Sequence, residues 1–241
     1  MKLTCLGSSS AGNCYLLQAD NGETLILDCG IGIKEIKKGL NWDITGVVGA
    51  ICTHSHQDHS LSVYPLRRMG IPVYAPYISQ KPMAIGSGAF RIQSFDLTTI
   101  DESWTHTDAN GEPCPIFGFL ITHPEMGKML YITDCEVIKW KFKDINHILL
   151  GVNYDKDLVD TDNPKANHVF RGHLSIDTAC DFVKANDSDS LQNVIMCHLS
   201  SENADSDSFI EKMEKVAYGA NVDVAERNKE WVLRKGDECP F

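Results

Sequence analysis

Short apolar runs separated by polar, glycine-containing breaks fill the first third of the chain, and their length and spacing predict strands. Leu3 to Leu6 and Cys14 to Gln18 are two such runs, and Asn21-Gly22 marks a tight hairpin turn before a third at Thr24 to Leu27. Ile33 to Leu40 changes period, with Lys34, Lys37 and Lys38 turned outward, and predicts a short helix. Val47 to Cys52 is a continuous apolar run of strand length; His59 to Met69 then reads as a helix stopped by Gly70 and Pro72. Strands at Val73 to Ala75 and Phe90 to Phe95 follow, separated by a Gly/Pro/Ser stretch.

The remainder repeats the mixture. Ile116 to Thr122 and Met129 to Thr133 flank a hairpin turn over residues 123–127, and Asn146 to Val152 is a further strand. Residues 156–167 are polar and irregular, as a surface loop would be. Ser175 is placed to cap a helix whose apolar positions Ile176, Ala179, Cys180 and Val183 share one face. Gln192 to Cys197 is a buried strand, and Phe209, Met213, Val216 and Ala217 form the stripe of a second helix ended by Gly219. Val222 to Ala225 and Trp231 to Leu233 finish as strands. Strands and helices mix in both halves with no linker between them. That predicts one domain over residues 1–241, of the α/β class, with two sheets covered outside by helices.

With 241 residues, 43% hydrophobic and 23% charged, the chain can build a sizeable core without a staple, and a disordered or fibrous class is excluded. No apolar stretch is long enough to span a membrane. The opening MKLTCLGSSSAGN reads as a strand entering a loop, so a soluble, cytoplasmic protein is expected. The nine cysteines form no CxxC pair and read as reduced and mainly buried. Twenty-two basic against 33 acidic residues give a net charge of −11, which opposes non-specific wrapping of nucleic acid. The longest basic runs are Lys37-Lys38 and Arg67-Arg68, and no motif for an organic cofactor is present.

Histidine clusters are where packing stops explaining the sequence. In His54-Ser55-His56-Gln57-Asp58-His59, directly after a buried strand, His54 and His56 project to one side of an extended chain and can share one ion. Asp58 and His59 point elsewhere and can serve a neighbouring ion. Imidazole plus carboxylate suits zinc, manganese or iron. Asp134, at the end of Tyr131-Ile132-Thr133-Asp134, is a carboxylate closing an apolar strand, where it needs a partner to be tolerated.

The string Thr53 to His59 resembles the HxHxDH signature of the metallo-beta-lactamase fold. Gly7-Ser8-Ser9-Ser10-Ala11-Gly12-Asn13-Cys14 and Leu27-Asp28-Cys29-Gly30 resemble one branch of it, the bacterial and phage group related to the YycJ/WalJ hydrolases, themselves similar to tRNA 3′-end processing nucleases. The resemblance implies a four-layer αββα sandwich with two divalent ions, zinc or alternatively manganese or iron, at a sheet edge. It assigns His54, His56 and His106 to one ion and Asp58, His59 and His198 to the other, with Asp134 between. His123, in its hairpin turn, is the rival to His106.

His173, in Arg171-Gly172-His173-Leu174-Ser175, resembles the histidine those nucleases place beside the scissile phosphate; it is set outside both ligand sets, as a helper to the leaving oxygen. Asp58, Asp134 and His173 are thus the expected catalytic residues. Relatives of the branch commonly carry a glutamate where this chain has Gly151, so carboxylate support for a histidine would come from elsewhere, such as Asp155. The activity implied is hydrolysis of a phosphodiester, in a nucleic acid or alternatively a small cyclic nucleotide. A non-catalytic binding protein that kept the fold is the remaining alternative. Nothing in the sequence fixes the oligomeric state, a dimer included.

Overall fold

The structure is a computed structural model that describes residues 1–78, 88–98, 107, 112–160, 162, 170 and 172–236. The first sheet holds β1 (Lys2–Gly7), β2 (Cys14–Gln18), β3 (Thr24–Leu27), β4 (Val47–Ile51), β5 (Val73–Tyr74) and, from the end of the chain, β12 (Glu230–Val232). Its order is β12-β1-β2-β3-β4-β5. The second holds β6 (Arg91–Asp96), β7 (Phe117–His123), β8 (Gly127–Ile132), β9 (His147–Gly151), β10 (Asn193–Cys197) and β11 (Asn221–Val224), in the order β11-β10-β9-β8-β7-β6.

Period-two alternation builds the layers. On β2, Tyr15 and Leu17 face the second sheet and meet Phe119, Ile121, Met129, Tyr131 and Ile195 in the inner core. Cys14 and Leu16 face outward, against Ile36 of α1 (Ile33–Gly39) and Leu66 of α3 (Val63–Arg68). The second sheet turns Leu130, Ile148, Leu150, Val194 and Met196 outward to α4 (Ile176–Asn186) and α5 (Ser206–Glu214). These helices bury Ile176, Ala179, Phe182 and Val183, and Phe209 and Met213. The result is the four-layer αββα sandwich of the metallo-beta-lactamase type. Each such aliphatic or aromatic side chain, fully buried, contributes about 1.5–3 kcal/mol.

The topology also sets where chemistry can gather. β3 and β4 are parallel, as are β8, β9 and β10, so their carboxyl ends open onto one edge of the sandwich. Three residues leave those strand ends in the left-handed region: Asp28 at φ 50°, Asp134 at φ 53° and His198 at φ 55°. Such backbone costs on the order of 1–3 kcal/mol each outside glycine and is held by the surroundings.

Two expectations are refined. The helix over 59–69 is instead α2 (Gln57–Ser60) and α3, interrupted at residues 61–62. Ser62 there gives its backbone N–H to the Cys29 carbonyl (2.8 Å) and its hydroxyl to the Ile31 carbonyl (2.6 Å), and Pro65 has no N–H to continue the ladder. β7 runs on to His123, so the hairpin turn is shorter than the 123–127 stretch. The eight described cysteines are free thiols, seven of them buried. His106 and most of the Gly/Pro/Ser stretch between β5 and β6 lie outside the described residues.

Candidate metal centre

Apolar strands carry the functional side chains to the edge, and a polar residue follows each strand end. β4 delivers Thr53 and His54, β3 delivers Asp28, β8 delivers Asp134 and β10 delivers His198. The hub is His59 in α2. Its Nδ1 donates to Asp28 Oδ2 at 2.6 Å, which leaves Nε2 facing Asp134 Oδ2 at 2.7 Å and Asp58 Oδ2 at 3.4 Å. His54 Nε2 stands 3.7 Å from Asp134 Oδ2, and His198 Nε2 3.3 Å from Asp134 Oδ1. Asp134 is 5% exposed and His54 and His59 are wholly buried.

The charges answer one another. Burial pushes the Asp134 carboxyl up, but His198, His59 and His173 outweigh it and hold the group well below the ordinary carboxylate range. Burial pushes His59 down, and the Asp134 and Asp28 carboxylates override it, raising the imidazole well above its usual value. His198 is lowered, chiefly by burial. A neutral His59 that donates its Nδ1–H to Asp28 would aim a lone pair at two carboxylates. The Nε2 position therefore calls for a proton or a cation, and the donor set of three nitrogens and two carboxylates is one that a divalent ion fits.

Three groups of side chains bring ligand atoms within 4.8 Å of one another: His54, His59 and Asp134; Asp58, His59 and His198; and Asp134, His173 and His198. The second group is the set expected for one ion. For the other ion, the structure joins His54 to His59 and Asp134. His56 is half-buried, its ring centroid 4.8 Å from that of His54, with Nε2 3.0 Å from the Thr107 carbonyl oxygen. His123, the rival third ligand, lies at the far end of β7 from this edge, its ring tilted at 47° against that of Phe90 with centroids 4.7 Å apart.

His173 is closer in than its sequence position indicates. Its Nδ1 is 3.2 Å from Asp134 Oδ1, and its ring stacks on that of His198 with centroids 5.9 Å apart. The carboxylate that steadies its loop is Glu136, whose Oε1 accepts from the Gly172 N–H at 2.5 Å. Asp155 is instead turned to Lys212 on α5, at 2.7 Å, and accepts from the Asp157 N–H. Gly151 has no room for a glutamate: a Cβ there would stand 2.7 Å from Thr133 Oγ1 and 3.0 Å from Thr133 Cα.

Sequence reasoning gave no role to Asp28, Asn13, Tyr131 or Glu136. Asp28 is fully buried and accepts from Thr53 N (2.8 Å), Thr53 Oγ1 (3.0 Å), Tyr131 Oη (2.6 Å) and His59. It was legible in principle, since a carboxylate ending the apolar run Thr24 to Leu27 is the same pattern that singles out Asp134. Asn13 places Nδ2 2.8 Å from His198 Nδ1 and 3.1 Å from His59 Nε2, while its backbone N–H donates to Asp58. Gly30 passes so close to this loop that a Cβ on it would overlap the Asp58 carbonyl. No local pattern announces these long-range contacts.

The family described as the metallo-beta-lactamase superfamily matches residues 9–148, more than half of the chain. No curated protein matches the sequence. Among solved structures, the metallo-beta-lactamase fold protein YhfI from Bacillus subtilis is similar at 16% identity and a TM-score of 0.64, covering 95% of this chain and 98% of that one. The short form of human tRNase Z is similar at 17% identity and a TM-score of 0.59, over 97% and 99% of the two chains. Unliganded yeast PDE1 gives 13% identity and a TM-score of 0.63, over 95% and 98%. At these identities the likeness is one of fold.

Proposed function

The chain belongs to the metallo-beta-lactamase superfamily, and from that premise we propose that it is a dinuclear metal-dependent phosphodiester hydrolase acting on nucleic acid, of the YycJ/WalJ-like branch and cytoplasmic. In this reading His54, His56 and His106 would hold one divalent ion, Asp58, His59 and His198 the other, and Asp134 would serve both. Zinc suits the set, with manganese or iron as alternatives. When bound, two such ions would acidify an attacking water and offset the charge on the phosphoryl group.

The chain's own residues supply the rest. Asp28 fixes the His59 tautomer by accepting a hydrogen bond from Nδ1–H, so that Nε2 is the ligand atom. Asp134 engages His173 at Nδ1. A proton carried at Nε2 of His173 is then the one available to the leaving oxygen. The single observation that carries the phosphodiester reading is this extra imidazole, beyond those needed for two ions, beside the Asp134 carboxylate. A lactam or thioester hydrolase has no evident use for it. The net charge of −11 favours a compact cyclic nucleotide as the alternative substrate.

Metal content and turnover measured on the same preparation of His173→Ala test the reading. The expected result is two ions retained and hydrolysis of a generic aryl phosphodiester reduced by about 10²-fold or more. Loss of one ion would make His173 a ligand. Cleavage of a beta-lactam or thioester with no phosphodiester turnover in the wild type would overturn the assignment.

A further inference from the structure

β8 and β9 are adjacent parallel strands, so the chain between them must return from the metal edge to the opposite edge of the sandwich. Such returns are usually helical. This one forms neither helix nor strand, and it reads Val137-Ile138-Lys139-Trp140-Lys141-Phe142-Lys143. Ile138 and Phe142 pack against the core of the second sheet, and Phe95 meets Phe142 at 5.0 Å and Trp140 at 6.4 Å between ring centroids. Hydrogen bonds fasten the segment, among them Phe142 N–H to Asn186 Oδ1 at 2.7 Å and the Trp140 indole N–H to the Asp96 carbonyl at 3.1 Å.

Ile138 and Phe142 are half-buried, while Lys139, Lys141 and Lys143, like Trp140 between them, are exposed. Among the described residues none of the three makes an ion pair. Lys128, at the start of β8, gives its ammonium to the Lys143 carbonyl at 3.1 Å and adds a fourth positive charge at the far end, 3.9 Å from the exposed Asp144. Trp140 leaves about half of its surface, 52%, to solvent. A chain of net charge −11 thus gathers three exposed lysines within five residues, beginning five residues after Asp134, with Lys128 beside the last of them. The signal escapes a search for contiguous basic runs because apolar residues interrupt it.

We propose that this segment is a track for single-stranded nucleic acid, on which the lysines hold successive phosphates and the Trp140 indole stacks a base, leading the strand to the metal edge. Exposed ammonium groups flanking one open aromatic face fit an unpaired strand, and a duplex offers no base face to stack. The proposal rests on the phosphodiester reading of the centre, and its test separates the two.

The probe is a fluorescent single-stranded oligonucleotide of about 12 nucleotides, RNA or DNA, with cleavage-resistant phosphorothioate linkages. Its binding to the metal-loaded protein is followed by anisotropy over a range of salt. Combined Lys139→Gln, Lys141→Gln and Lys143→Gln substitution should weaken binding about 10-fold or more and flatten the slope of log affinity against log salt by about 2, from about 0.7 per phosphate contact. Trp140→Leu should weaken binding about five-fold or more with the slope retained. Turnover of the aryl phosphodiester should be unchanged in both variants. Unchanged affinity and slope in the triple variant would overturn the track. So would wild-type protein that ignores the oligonucleotide but binds phosphatidylserine vesicles through these lysines. Absent aryl phosphodiester turnover in the wild type, with oligonucleotide binding intact and lysine-dependent, would reject the phosphodiester reading and keep the track.

Discussion

Buried histidines stand at both ends of the sandwich, and their surroundings give them opposite character. At the end away from the metal edge, His147 Nε2 donates to the carbonyls of Met126 and Arg234, both at 3.1 Å, while Nδ1 accepts from Asn193 Nδ2 at 2.9 Å. Burial is the main force on it and pushes its pKa down to about 4. His123 is likewise lowered by burial, with Nδ1 accepting from the Glu125 N–H at 3.2 Å. At the metal edge, burial is as complete, yet the carboxylates of Asp134 and Asp28 reverse its effect on His59. Burial by itself makes a histidine neutral and structural. A carboxylate delivered by a neighbouring strand end makes it able to face a cation.

The comparison breaks first at Asp134. Asp134→Asn should lose the ions and bring turnover to the level of the uncatalysed reaction, whereas the wild type binds about two ions per chain after metal-replete purification. Elemental analysis decides it, and two ions retained in the variant would remove Asp134 from the centre. Asp28→Asn should act at one remove, weakening metal affinity by about 10–100-fold without unfolding the chain, as read by competition with a chelator. Unchanged affinity would mean that Asp28 only supports the loop.

The smallest effect on activity is expected at the other end. His147→Asn should leave metal content and turnover unchanged and alter only stability. At neutral pH it should cost about 1–3 kcal/mol for the disturbed buried hydrogen bonds. The pH dependence carries a sign. The unfolded imidazole takes a proton near pH 6.5, while the folded one resists until about 4, so His147 contributes to a loss of stability as pH falls through that window. Denaturant melts at about pH 7 and pH 5 should therefore differ less in the variant than in the wild type. An equal difference would assign the acid sensitivity to other groups.

Much of the fold was legible because each element is specified locally. The apolar runs at Cys14 to Gln18 and Thr24 to Leu27 are strands, as is the Val47 to Cys52 run up to Ile51, and Ser175 caps α4 by accepting from the Thr178 N–H, as its place before Ile176 predicts. The split of the helix after His59 was not legible, since its cause is a pair of hydrogen bonds from Ser62 to residues 29 and 31 on another loop.

What the sequence determined by itself is the alternation that makes two sheets and the residue types placed at strand ends: His54 after β4, Asp134 after β8 and His198 after β10. Periodicity and composition act over a few residues, and a single chain displays them directly. Only the tertiary structure decided which of these groups meet. It brought Asp28 onto His59, drew His173 to Asp134, set Glu136 under Gly172 and sent His123 to the far end. Those choices follow from parallel strands opening on one edge and antiparallel ones closing on the other. Strand direction arises from long-range pairing, which no local pattern in the chain encodes.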